Sequence, residues 1–219
     1  MINTIIFDLD GLLIDSERIW YKVWNDFLGL YGQSFTLETY VQKYSGKIVP
    51  DIVELLADHY NLPVGREEGA RIVNEIETSY VEKGVPLMDG AKELLDYLKA
   101  HNYKMVIGTS SRKERALKVL KIVNVLEYFD DLVVGYDVQR GKPFPDTFLE
   151  AARRVNSLPE ECLVLEDSEN GIQAAHAGNI PVICIPDMKQ PTKENADKTA
   201  AILPSLRDVI TYLEEFNVN

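Results

Sequence analysis

Five short apolar runs punctuate the chain: TIIFDL at 4–9, KMVIGT at 104–109, DLVVG at 131–135, CLVLE at 162–166 and PVICI at 181–185. They are rich in valine and isoleucine, and most are apolar at successive positions. That pattern predicts parallel strands covered by helices on both faces. Helical stripes alternate with the later runs. Ala91, Leu94, Leu95 and Leu98 form one, Leu149, Ala152 and Val155 a second, and Leu206, Val209, Ile210 and Leu213 a third. Such alternation predicts an open α/β sheet with right-handed crossovers.

Residues 15–82 break the alternation. They hold no strand pattern and four helical ones. The first runs through Ile19, Trp20, Val23, Trp24, Phe27 and Leu28, and the second through Leu37, Tyr40, Val41 and Tyr44. The third has Ile52, Val53, Leu56 and Tyr60, and the fourth Ile72, Val73, Ile76 and Tyr80. Gly32, Gly46, Pro63 and Gly84 stop them in turn. A structureless loop of this length does not suit a compact domain. The reading is therefore a core of residues 1–14 and 83–219 with an all-helical domain, residues 15–82, inserted after the first strand. LLID and KGVPLMDG are its two linkers, and two adjacent linkers make a hinge on which the insert can open and close over the sheet.

Composition narrows the partners. In 219 residues, 46% are hydrophobic and 26% charged, the balance of a globular protein. A net charge of −12 disfavours nucleic acid. No apolar run is long enough to cross a membrane. The start, MINTIIFDLDG, reads as a strand broken by Asp8 rather than as a signal peptide. Cys162 and Cys184 both fall in strand runs and read as buried thiols in a reducing compartment, which points to the cytoplasm. His59, His101 and His176 lack ligand spacing and read as surface residues.

Open α/β sheets bind ligands beyond the carboxyl ends of their strands. The polar residues expected there are Asp8 and Asp10 after the first run, Thr109, Ser110 and Ser111 after the second, Lys142 after the third, and Glu166, Asp167 and Ser168 after the fourth. Two residues apart on a strand, Asp8 and Asp10 face the same side. Adjacent carboxylates repel unless a cation separates them. Oxygen-only ligands suit a hard cation such as Mg²⁺. Lys142, the Thr109 hydroxyl and backbone N–H groups near Ser110 and Ser111 add donors that suit a phosphoryl group. Each residue also has a plainer reading: aspartates and serines are common turn residues, and Ser168 can cap a helix running from near Glu169 to Gly178. The ordered set is what argues for chemistry.

DLDG, GTSS, GKP and EDS resemble, in order, the four motifs of the haloacid dehalogenase-like phosphotransferase superfamily. The helical insert after DLDGLLIDSE is similar to the cap of its sugar-phosphate phosphatase and β-phosphoglucomutase subgroup. The resemblance covers essentially the whole chain. It implies a Rossmann-like core, Mg²⁺ and an aspartyl-phosphate intermediate. By position, it makes Asp8 the nucleophile and Asp10 the general acid and then base. Asp8, Asp10 (through its carbonyl), Asp167 and Glu166 (directly or through water) become the metal ligands. Thr109, Ser110 and Lys142 hold phosphate oxygens.

Asp10 argues against a true dehalogenase, since that branch lacks the second aspartate. Trp20 stands where the resembled mutases carry histidine, and GKIVP puts Ile48 where a hydroxyl residue is common. Both departures favour a phosphatase of small phosphorylated metabolites over a mutase. A phosphate-binding protein without catalysis is the alternative of another class. Glu17, Trp20, Trp24, Tyr44 and Lys47 are the candidate substrate residues of the insert. Asp15 reads as structural, and Asp146 as a cap or electrostatic support for the helix that follows it. The enzyme is expected to work as a monomer with no obligatory protein partner.

Overall fold

The computed structural model describes residues 1–218. The chain divides into two compact units, Met1–Asp15 with Pro86–Asn219, and Ser16–Val85. The first is built on six strands: β1 (Thr4–Phe7), β2 (Lys104–Gly108), β3 (Asp131–Val133), β4 (Cys162–Glu166), β5 (Val182–Cys184) and β6 (Ala201–Ile202). They pair in the order β3-β2-β1-β4-β5-β6, every pairing parallel. The five predicted strands are present. The sixth, two residues long at the sheet edge, is too short to leave a pattern. β1 lies between β2 and β4, so strand order reverses there and opens a crevice at the strands' carboxyl ends.

The helical unit holds α1 (Glu17–Gly29), α2 (Leu37–Lys43), α3 (Val49–Tyr60) and α4 (Arg66–Lys83). Its core is Ile19, Val23, Trp24, Phe27 and Leu28 of α1 with Tyr40, Ile52, Val53, Leu56, Val73 and Val81. Trp24 stacks on Trp20 and meets Phe27 edge-on, while Tyr44 stacks on Phe35 at 5.3 Å. Trp24 and Tyr44 are thus core residues of this unit, not surface groups. Aromatic stripes at helical spacing bury first because they remove the most apolar area from water.

Residues 13–15 and 86–88 pair antiparallel. Asp15 N–H donates to the Pro86 carbonyl at 2.9 Å, Met88 N–H donates to Leu13 at 3.0 Å, and Ile14 bridges Leu87. These bonds keep Asp15 and Pro86 with the sheet unit, so the division falls after Asp15 and before Pro86.

The sheet unit's helices are α5 (Ala91–Ala100), α6 (Lys113–Ile122), α7 (Asp146–Arg154), α8 (Glu169–Ala177), α9 (Lys193–Ala196) and α10 (Asp208–Val218). On one face Ile6, Val106 and Val164 pack with Phe148, Ala151, Ile172 and Ala175 of α7 and α8. The buried face of α7 is Thr147, Phe148, Ala151 and Ala152, whereas Leu149 is 37% exposed. Of the predicted stripe, Ala152 is buried and Val155 packs against the core, while Leu149 falls outside and Phe148 takes the inward position. Phe148 fills the space over Gly108, where an added Cβ would meet its ring at 3.1 Å. Cys162 and Cys184 are buried free thiols, pushed up to about 11 and about 12 chiefly by burial, and so are inert. His59, His101 and His176 are exposed. No helix among the described residues is long and apolar enough to cross a membrane.

Candidate active site

Register places the first acids. Phe7 is paired with Leu165 of β4, and the ladder continues one step, Asp8 N–H donating to the Leu165 carbonyl at 3.0 Å. Asp8 thus lies beside Glu166, across the crevice where the strand order reverses. Alternation carries Ile6 to Asp8 and Val164 to Glu166 on the face that α7 and α8 cover. The Lys142 ammonium fills the gap, 2.5 Å from Asp8 Oδ1 and 2.7 Å from Glu166 Oε1, with the Phe148 ring 4.5 Å from it. Glu166 Oε2 accepts from Ser168 N–H at 2.7 Å, so both its oxygens are engaged.

Asp8, Glu166 and Asp167 each bring a carboxylate oxygen within 4.8 Å of the others. Two of these acids pair with the Lys142 ammonium, and Asp167 stands beside them. Burial drives the Asp8 carboxyl up to about 7; Lys142 opposes the rise, and Glu166 adds to it. Burial alone would lower Lys142, but the two carboxylates outweigh it and hold the ammonium above its ordinary value. A buried site with surplus acid oxygens and no nitrogen or sulfur ligand fits a hard divalent cation.

Two glycines make room for this group. Gly11 has φ +82°, and a Cβ there would meet the Asp167 carboxylate, its Cγ at 3.0 Å. A Cβ at Gly171 of α8 would overlap the Glu166 side chain, reaching Cγ at 2.5 Å. We expect Gly171→Ala to push Glu166 off Lys142. The overpacking would lower stability by about 1–3 kcal/mol. Denaturant titration measures it; an unchanged midpoint would show that the carboxylate has somewhere else to go.

Asp10 lies past the end of β1, so strand alternation does not place it. Its position comes from the turn through Gly11, whose N–H donates to the Ile14 carbonyl at 3.0 Å. The Asp10 carboxylate stands outside the three-acid group and accepts from Ser111 Oγ at 2.6 Å and Arg115 Nη1 at 2.8 Å. Thr109 is buried, and its hydroxyl accepts from Ser111 N–H at 3.0 Å. Ser110 is exposed, and its carbonyl backs onto Gly135. Thr109, Ser110 and Ser111 therefore form a tight turn leading into α6. Ser168 caps α8, accepting from Gly171 N–H at 3.1 Å. Asp146 opens α7 and pairs with Arg140 at 2.9 Å. Arg115 was missed by the motif reading; its one sequence signal is the four-residue spacing from Ser111.

The other candidates belong to the helical unit. Glu17, at the start of α1, accepts from Tyr40 Oη at 2.9 Å and Ser45 Oγ at 2.8 Å. Trp20 is partly buried in the aromatic stack. Lys47 lines a surface cavity of about 540 Å³ with Gly46, Ile48, Asp51, Glu54, Leu55 and Asp58. Three carboxylates in that lining, two of them paired with Arg66, disfavour a phosphate dianion there.

Residues 5–185 match the family described as haloacid dehalogenase-like hydrolase. The chain belongs to this family. Like the two curated relatives below, it is an enzyme. It is 34% identical over 209 residues to a protein of Drosophila melanogaster named "Probable pseudouridine-5'-phosphatase", covering 93% of this chain and 89% of that one. It is 31% identical over 183 residues to the fructose-1-phosphate phosphatase of Escherichia coli, covering 82% and 94%. Among solved structures, a haloacid dehalogenase family hydrolase of Deinococcus radiodurans with bound phosphate and sodium superposes with a TM-score of 0.81 at 26% identity, over 98% of this chain and 96% of that one. The Rossmann-like sheet with a helical insert is the architecture that the motifs implied for a haloacid dehalogenase-like protein.

Proposed function

We propose that the protein is a Mg²⁺-dependent phosphatase of a small phosphorylated metabolite, in particular a sugar phosphate. The observation that carries this reading is a buried Asp8 held against Lys142, with Glu166 and Asp167 beside it, at the crevice of the sheet. The phosphatase names of the relatives support the reaction class, and they point to phosphorylated sugars or nucleosides as substrates.

Asp8 attacks phosphorus while the bond to the leaving oxygen breaks, and Asp10 gives that oxygen its proton. Asp10 then takes a proton from water, which attacks the phosphoryl group and regenerates Asp8. Thr109, Lys142 and backbone N–H groups around Ser110 and Ser111 hold the phosphate oxygens. Asp8, Asp167 and the Asp10 carbonyl would hold Mg²⁺, with Glu166 acting through water because both its oxygens already accept bonds. Bound there, the ion supplies positive charge against the phosphate and relieves repulsion among the acids. We assign substrate choice to the helical unit, residues 15–82 of the sequence reading, and to Glu17, Trp20 and Lys47 within it. Glu17 leads because two hydroxyls fix its carboxylate. Two buried free thiols suit a cytoplasmic enzyme, and no protein partner is required by this scheme.

The test is a panel of phosphorylated sugars and nucleotides, assayed with Mg²⁺ and with a chelator. Phosphate release that depends on Mg²⁺ is expected. No release, or release unaffected by chelation, would remove the proposal. Conversion of β-glucose 1-phosphate to glucose 6-phosphate without free phosphate would make the enzyme a mutase instead.

A further inference from the structure

Lys142 reaches Asp8 and Glu166 on a flexible four-carbon stem, so its ammonium is only as well placed as the backbone beneath it. That backbone is a tight turn. Phe144 N–H donates to the Gly141 carbonyl at 3.0 Å, which makes Lys142 and Pro143 the two central residues. One side chain draws the flanks of the turn together. Arg140, just before it, holds Asp146 with two nitrogens, Nη2 donating to Oδ1 at 2.9 Å and Nε to Oδ2 at 3.3 Å. Its guanidinium carbon also lies 4.6 Å from the centre of the Phe144 ring. Asp146 begins α7, and the same helix carries Phe148, whose ring lies 4.5 Å from the ammonium. Arg140 therefore ties the entry of the turn to the helix that supports the ammonium.

We propose that Arg140 is a positioning residue that braces the Lys142 turn against α7 and so aims the ammonium at the phosphoryl group. The proposal rests on the reading of Lys142 as a phosphate-holding cation. At rest, Asp8 and Glu166 draw the ammonium by charge. Asp8 loses its charge on forming the acyl phosphate, and the phosphoryl oxygens replace it as the ammonium's partners. The turn must then keep its place while one of the charges that held it disappears. An exposed ion pair adds little to global stability, and the Arg140 side chain is 56% exposed. What it supplies is local geometry, because a planar fork that pairs at two nitrogens and stacks on a ring has few orientations open to it. Lysine matches the charge but neither the fork nor the stacked plane.

The experiment is a double-mutant cycle. Turnover of p-nitrophenyl phosphate, its inhibition by inorganic phosphate and denaturant midpoints are measured for the parent, Arg140→Ala, Arg140→Lys, Lys142→Met and Arg140→Ala with Lys142→Met. Arg154→Ala is the comparison. Arg154 ends α7 and ties it to Asp137 at 2.9 Å and to the Leu132 carbonyl at 3.0 Å, away from the turn. Arg140→Ala is expected to lose about tenfold in kcat/KM and to be inhibited more weakly by phosphate, with a midpoint near the parent's. Arg140→Lys should fall between the two. Without Lys142, Arg140→Ala should cost about twofold more at most, because the group it positions is gone. A loss that persists in full in the Lys142→Met background, or no loss at all, overturns the brace while Lys142 keeps its role. If Lys142→Met does not fold, the comparison decides: activity that falls in Arg140→Ala and Arg154→Ala alike, in step with their midpoints, overturns the proposal. Activity lost in Arg140→Ala at an unchanged midpoint upholds it. Parent-like turnover in Lys142→Met removes the phosphate-holding reading and the proposal with it.

Discussion

Replacing Asp8 with asparagine is expected to abolish phosphate release while leaving the metal-free fold at least as stable as the parent above about pH 7. Activity should fall on the order of 10⁴-fold or more, because an amide cannot form the acyl phosphate. The stability effect has the opposite sign. The Asp8 carboxyl rises from 3.8 to about 7 on folding, mainly through burial. Between those values the folded protein binds more protons than the unfolded chain, so metal-free stability declines as pH rises through this window. Asparagine carries no charge and removes that part of the decline. Denaturant midpoints of both metal-free proteins at the two ends of the window, together with a phosphate-release assay, check the two halves. Retained turnover would take the nucleophile's role away from Asp8, and an unchanged pH slope would place the slope elsewhere. Mg²⁺ should stabilise the parent far more than the variant, since it binds the ionised carboxylate.

Much of this site is legible in the sequence because a parallel sheet converts linear order into spatial convergence. Residues one step past β1 and β4 become neighbours through register alone, so Asp8 and Glu166 can be juxtaposed from their strand ends. The GKP lysine follows from the same logic at one remove, since its loop must return toward the sheet to start α7. The four helical stripes of residues 15–82 are likewise readable, because each is bounded by glycine or proline. What escapes is set by contacts rather than by pattern. Asp10 follows a turn whose geometry depends on Gly11, and its partners, Ser111 just before α6 and Arg115 in that helix's first turn, lie about a hundred residues away. Gly171 reads as an ordinary helix residue until Glu166 is seen to need its missing Cβ. Leu149 and Leu37 fit their helical patterns yet remain exposed, at 37% and 40%. Packing of Phe148 over Gly108 decides the first. Leu37 opens α2, where Thr36, not an apolar contact, anchors the turn by accepting from Thr39 N–H. In the helical unit, periodicity identifies the aromatic stripe but cannot sort Trp24 and Tyr44, which fill its core, from the partly buried Trp20 beside them.

Lys142→Met is expected to cause the largest loss of stability of any single change in the site. The methionine stem keeps contact with Phe148 but removes the one ammonium between Asp8 and Glu166. Two carboxylates are then left facing each other in a buried position, a change that costs about 3–5 kcal/mol. The loss should be smaller at low pH, where Asp8 holds its proton, and should grow as pH rises, because removal of Lys142 takes away the main influence that lowers the Asp8 carboxyl. Turnover should fall about 10²–10³-fold at saturating Mg²⁺, since a cation aimed at the phosphate is gone. Denaturant titration across pH and a p-nitrophenyl phosphate assay measure both effects. Adding Glu166→Gln separates them. The amide oxygen can still accept from Ser168 N–H while one facing charge disappears, so stability should recover in part and turnover should not. Recovery of both would mean that Lys142 serves only to balance buried charge. Recovery of neither would mean that repulsion between the facing Asp8 and Glu166 carboxylates is not the source of the stability loss.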